Sequence, residues 1–187
     1  MKQALLVIDV QESFRLRPYW DEVDLPAFRA ALQELLDQAA ASGVPALRVF
    51  HHEPDADTSD PFSPRSGLVR TLEGIRYTPV ETFHKTVHSA LYATDTNGTA
   101  LEHWLREHGI EEVLVCGIRT EQCCETTTRH ASDAGFQVRF VADATLAFPM
   151  TSAAGRHYSA ADIRDRTALV LDGRFARIVS AARALSD

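Results

Sequence analysis

A chain of 187 residues, 45% of them hydrophobic, can bury a sizeable core without disulfide staples and fits a single domain spanning 1–187. Its net charge of −7 excludes nucleic acid or an anionic membrane surface as the main partner, since both require a basic face. No window approaches the ~20 consecutive apolar residues of a membrane span, so a small molecule is the expected ligand.

Ala4–Ile8 is an apolar run that ends in Asp9 without a small-residue cleavage site, and reads as a first strand. Leu25, Phe28, Leu32, Leu35, Leu36 and Ala39 then recur at helical spacing. Asp24 and Pro26 suit the start of that helix and Gly43 its end. Pro45–Phe50 is a second strand, which makes a βαβ unit and implies a parallel sheet. From Glu53 to Pro79 four prolines and two glycines break all periodicity, and a long loop is expected. A strand at Val80–Phe83 leads into a loop with Lys85, His88 and Tyr92. A helix over Thr99–His108 and a strand over Val113–Cys116 follow. The spacing predicts a helix over Thr120–Ala134, a strand over Val138–Ala142, a helix from Ser159 to about Leu171 and a strand at Ala176–Val179.

Six strands alternating with helices predict an open, mostly parallel α/β sheet covered on both faces. Ligands bind such sheets at the carboxyl ends of the strands. Asp9, Lys85 and the turn Gly117–Cys124 each follow a predicted strand, so three distant segments should meet at one edge. Thr120 is placed to cap the helix by accepting from the N–H of Cys123. A thiol in that first turn feels the positive end of the helix dipole, and with Lys85 nearby both effects favour thiolate. Cys116, Cys123 and Cys124 fall within nine positions, which fits reduced thiols and a cytoplasmic location. The bland alternative is that Cys123 and Cys124 only pack the helix against the sheet.

The segment Gly117-Ile-Arg-Thr-Glu-Gln-Cys-Cys-Glu-Thr-Thr-Thr-Arg129, with Gly135-Phe-Gln-Val and Asp143-Ala144 downstream, resembles the signature of isochorismatase-like cysteine hydrolases. That family includes nicotinamidases and N-carbamoylsarcosine amidases. Asp9-Val-Gln-Glu-Ser-Phe14 resembles its first-strand motif, and Phe83-His-Lys85 with Ser89–Thr94 its lysine segment. The resemblance implies a three-layer α/β/α fold around a six-stranded, mostly parallel, doubly wound, Rossmann-like sheet, and a Cys-Asp-Lys triad with Cys123 as nucleophile, Asp9 as general acid/base and Lys85 as assisting cation. It also implies a cis peptide between Ile118 and Arg119, and oxyanion donors at the backbone N–H groups of Arg119 and Cys123. The expected reaction is cleavage of a small amide or carbamoyl compound through an acyl-enzyme, without a cofactor. Relatives are commonly dimers or larger, so a homo-oligomer is expected.

Cys124, Thr128, Ala131 and Ala134 form a small-residue stripe that suits contact with the sheet, leaving Cys124 as the packing cysteine. Arg119 is expected either to clamp a substrate carboxylate or to form a surface salt bridge. Ile118, Gln11, Phe14 and Tyr92 are further candidates for substrate contact, with Trp20 and Phe62 as possible pocket walls. Where nicotinamidases carry a metal-binding Asp-x-His, this chain reads Phe50-His-His-Glu53. Adjacent His51 and His52 on an extended segment point to opposite sides, so no metal is expected. Cys123 and Arg129 also stand in the Cys-x5-Arg spacing of cysteine phosphatases, but Glu125 between them would repel a phosphate dianion. Vinyl ether hydrolysis of the isochorismatase kind and a catalytically silent binding protein are the remaining alternatives.

Overall fold

The computed structural model describes residues 1–186. Strands β1 (Gln3–Ile8), β2 (Ala46–His51), β3 (Glu81–Lys85), β4 (Glu112–Ile118), β5 (Gln137–Leu146) and β8 (Arg177–Val179) form one sheet in the order β3-β2-β1-β4-β5-β8. Every pairing within it is parallel. Such a sheet must be covered on both faces, which the near-continuous apolar runs in β1 and β4 already demand. Helix α1 (Leu25–Ser42) buries Leu25, Phe28, Leu32, Leu35, Leu36 and Ala39 on one face, against Leu5, Val7, Leu114 and Cys116. Its Pro26 lies in the first turn and Gly43 ends it at φ 69°. Helices α2 (Leu101–Glu107) and α3 (Glu125–Asp133) cover the other face, packing Leu101, Leu105, Ala131 and, just before α3, Cys124 on Leu6, Val113 and Val115. Helix α4 (Ala160–Leu171) starts at Ser159, whose side chain forms a reciprocal capping box with Asp162. No described helix is long and apolar enough to cross a membrane.

Two features differ from the expected pattern. β5 runs on past Ala142 to Leu146, with a register shift between Val115 and Gly117 that sets Thr145 opposite Gly117. Asp143, just beyond the expected strand, accepts from the N–H of Ala181 at 2.8 Å. A two-stranded hairpin, β6 (Met150–Thr151) and β7 (His157–Tyr158), also lies before α4. Its strands are too short to carry a period-2 signal.

The chain order reverses between β1 and β4: β2 and β3 build outward on one side of β1, and β4 returns to its other side. Loops leave that switch point in opposite directions, which opens a crevice at the carboxyl edge. Gly117 sets how closely the two strands meet there. Its φ is 129°, and a Cβ at this position would lie 1.9 Å from the carbonyl oxygen of Ile8. Gly117→Ala should therefore cost about 3 kcal/mol or more, from overpacking and a backbone conformation that L side chains avoid. For a domain of this size that is a fall of about 6–12 °C in Tm, readable by calorimetry.

Candidate active site

Asp9 ends β1 in a left-handed turn at φ 54°, the one non-glycine residue with positive φ among the described residues. Its side chain is completely buried at the crevice, and Oδ2 accepts from Lys85 Nζ at 2.7 Å. Lys85 closes β3, two strands away, and reaches Asp9 past the end of β2. The same ammonium lies 3.4 Å from Cys123 Sγ, so the three polar groups form one contiguous cluster. Asp9 Oδ1 has no hydrogen-bond partner among the described residues.

Cys123 lies in a π-helical turn, Thr120–Cys124, that precedes α3. Such turns recur at functional sites because they displace one side chain from the regular helical ladder. The peptide between Ile118 and Arg119 is cis. Thr120 does not cap the helix: its hydroxyl donates to Thr145 Oγ1 at 2.9 Å, and Thr145 donates in turn to the carbonyl of Ala142. The turn is thus tied to β5 rather than to its own N–H groups, and Arg119 takes the cap position with no side-chain bond. Cys124 is wholly buried against the sheet in line with Thr128 and Ala131.

The electrostatics also differ from the sequence expectation of a resting thiolate. Burial, reinforced by the Asp9 carboxylate, pushes the Cys123 thiol far above its ordinary value, and the Lys85 ammonium offsets only part of this. Burial works against the charge on Lys85 as well, but there Asp9 and Cys123 outweigh it and hold the ammonium above its ordinary value. Burial thus favours the protonated thiol beside the Lys85–Asp9 ion pair.

Other expected site residues fall into two groups. Phe14 is buried, stacked edge-on against Phe62 at 5.0 Å, and Phe62 in turn touches the ring of His51 at 5.6 Å. Through His51, whose Nδ1 lies 3.4 Å from Lys85 Nζ, this aromatic chain reaches the Lys85 side of the cluster. Arg119 is buried with its guanidinium over Tyr19 at 4.4 Å, and Nη2 meets Glu121 Oε1 at 2.7 Å. It is therefore neither a surface salt bridge nor an unpaired cation. Burial raises the Glu121 carboxyl while Arg119 opposes that shift. Tyr19, which the sequence gave no reason to single out, senses both Arg119 and Cys123, and Trp20 packs behind it on Phe148 at 5.1 Å.

Three expectations are corrected. The amide of Gln11 is fully engaged within the protein: Oε1 accepts the N–H of His51, and Nε2 donates to the carbonyl of His51 and to Ser13 Oγ. It ties the end of β2 to the loop after β1 and has no donor left for a substrate. Ile118 is completely buried in the α1-side core, so its side chain faces away from the crevice. Tyr92 is 65% exposed and stacks on His130 at 4.8 Å, about two helical turns beyond Cys123. His51 and His52 diverge, His51 toward Lys85 and Glu53 and His52 toward the ring of His84 at 5.2 Å. Among the described residues no group of three or more His, Cys, Asp or Glu side chains is placed to hold a metal ion.

Comparison with known proteins adds to this geometry. The sequence profile of the isochorismatase domain matches residues 3–174. The isochorismatase family protein YrdC of Bacillus subtilis is 28% identical over 191 aligned positions, covering 100% of this chain and 96% of that one. The nicotinamidase/pyrazinamidase of Mycobacterium tuberculosis is 30% identical over 161, covering 76% of this chain and 86% of its own. The crystal structure of an isochorismatase from Pseudomonas putida superposes with a TM-score of 0.81 at 25% identity, over 98% of this chain and 90% of that one.

Two stability predictions follow from the buried groups. Lys85→Met leaves Asp9 as an uncompensated buried charge and should cost about 3–5 kcal/mol, part of which Asp9→Asn in the same chain should restore. Cys116 is wholly buried, and burial alone raises its thiol. A group whose folded pKa is raised contributes stability that is complete below its unfolded value, about 8.5 for cysteine, and lost as the pH climbs above it. Tm should therefore fall above about pH 8.5, and less steeply in Cys116→Ala; an identical slope in that variant would contradict the assignment.

Proposed function

This chain is a hydrolase of the isochorismatase family, and from that premise we propose that it cleaves a C–N bond of a small amide or carbamoyl compound through a Cys123 acyl-enzyme. The observation that carries the reading is the position of one buried ammonium between a carboxylate at 2.7 Å and a thiol at 3.4 Å. Substrate entry starts the cycle. Asp9, whose Oδ1 is unengaged, accepts the thiol proton, and the Lys85 ammonium stabilises the thiolate as it forms. Sγ attacks the carbonyl carbon, and the oxygen gathers negative charge within reach of backbone N–H groups in the Arg119–Cys123 turn. The C–N bond breaks as Asp9 returns its proton to the departing nitrogen, which leaves as ammonia or an amine. Asp9 then takes a proton from water, the hydroxide attacks the thioester, and the acid departs as Sγ recovers its proton.

The substrate expected from the walls is small and partly flat, set between Phe62 and His51 on one side and Tyr19 with the Arg119–Glu121 pair on the other. That pair is neutral as a unit, which favours a polar uncharged substituent over a bare carboxylate next to Arg119. The mycobacterial relative, a nicotinamidase/pyrazinamidase, supports the amide class. We infer cytoplasmic hydrolysis by a single domain that assembles as a dimer or larger, with Val87 and Tyr92, both exposed on the loop after β3, near the shared face. Light scattering on the purified chain checks the assembly.

The central test is ammonia release from a panel of small primary amides, ureas and carbamoyl compounds. Cys123→Ala and Asp9→Asn should each lower kcat by about 10³-fold or more on any substrate that reacts. Ammonia release undiminished in Cys123→Ala would overturn the acyl-enzyme.

A further inference from the structure

His51 has no part in the cycle above, yet it occupies the gap that the Lys85 side chain must cross. Parallel register pairs His51 of β2 directly with Lys85 of β3, and paired residues on adjacent strands face the same way. Its Nδ1 lies 3.4 Å from Lys85 Nζ and its Nε2 lies 3.1 Å from Glu53 Oε1. An ammonium has three protons and no lone pair, so it can only donate. Two of its protons go to Asp9 Oδ2 and Cys123 Sγ. The third has Nδ1 of His51 in range, and Nδ1 must then be the unprotonated nitrogen. The proton of a neutral imidazole then sits on Nε2 and donates to Glu53, which fixes the tautomer.

We propose that His51 is a positioning residue for Lys85: the neutral ring, oriented by Glu53, completes the shell that holds the ammonium between Asp9 and Cys123. The role deepens the thiolate mechanism above and rests on it. The groups facing the ring are Lys85 on β3, Asp9 on β1 behind that ammonium, Glu53 on the following loop, and the Phe62 ring, over which Arg17 is stacked at 4.5 Å. His52, next in the chain, packs away from them on His84. A proton added at Nδ1 would remove the acceptor and bring two positive charges to 3.4 Å, which would turn the ammonium away from its place.

The test reads the reactivity of the thiol without a substrate, so it stands apart from the amidase reading: the rate of Cys123 alkylation by iodoacetamide at pH 7.5, followed by mass spectrometry. Cys123→Ala identifies the site of labelling. His51→Ala should slow alkylation at pH 7.5 by about tenfold. His51→Asn, whose side-chain oxygen can stand in for Nδ1 but takes no proton, should bring the rate back to within about threefold of the parent. An unchanged rate in His51→Ala, or absence of rescue by asparagine, would each overturn the proposal. A chain that hydrolyses no amide but shows both effects would remove the substrate reading and leave the positioning role standing.

Discussion

Burying a lysine and an aspartate together at a sheet edge is the constraint around which this molecule is arranged. Each charge alone would carry a desolvation cost of several kcal/mol, and their attraction offsets it only where the geometry is close and the remaining protons find partners. At 2.7 Å the geometry is close. The remaining protons explain why three strands must end at one level: β1 supplies Asp9, β3 supplies Lys85, and β2, lying between them, supplies His51. Gly117 completes the arrangement from the fourth strand, since any side chain there would push β4 off Ile8 and carry Cys123 away from the ion pair.

Much of this was legible in the sequence. The apolar runs, the helical stripe of α1 and the glycines after helices announced the alternating fold, because burial on both faces leaves a signal that does not depend on distant partners. Asp9, Lys85 and Cys123 were legible as residues that follow strands. What escaped was set by partners far along the chain. Thr120 looked like a cap, yet Thr145 competes for its hydroxyl from 25 residues away, brought there by a register shift that no local pattern encodes. Gln11 looked available for substrate until the end of β2 consumed its amide. His51 and His52 could be weighed only as a metal pair, because it is the pairing of β2 with β3 that sets one of them on a lysine.

The charge state of the thiol was the least legible feature. Local cues, a helix start and a lysine, argue for thiolate, whereas burial by three converging segments argues the other way and is the larger effect. In the proposed mechanism activation therefore comes with the substrate, when Asp9 takes the proton and the developing charge faces Lys85. A similar logic governs Arg119 and Glu121, which neutralise each other on the Tyr19 ring. Both are buried charges held in reserve by a partner beside the reacting sulfur.

A thiol that burial holds toward its protonated form also bears on how the site meets oxidants. Peroxide attacks thiolates, and sensors that respond to it expose a low-pKa cysteine near a second sulfur that can trap the sulfenic acid. Here Cys123 has a sulfur as its immediate neighbour in the chain, but Cys124 is turned into the sheet and burial raises its thiol as well. In the proposed mechanism, the desolvation that makes the chemistry wait for a ligand also works against the thiolate that peroxide attacks.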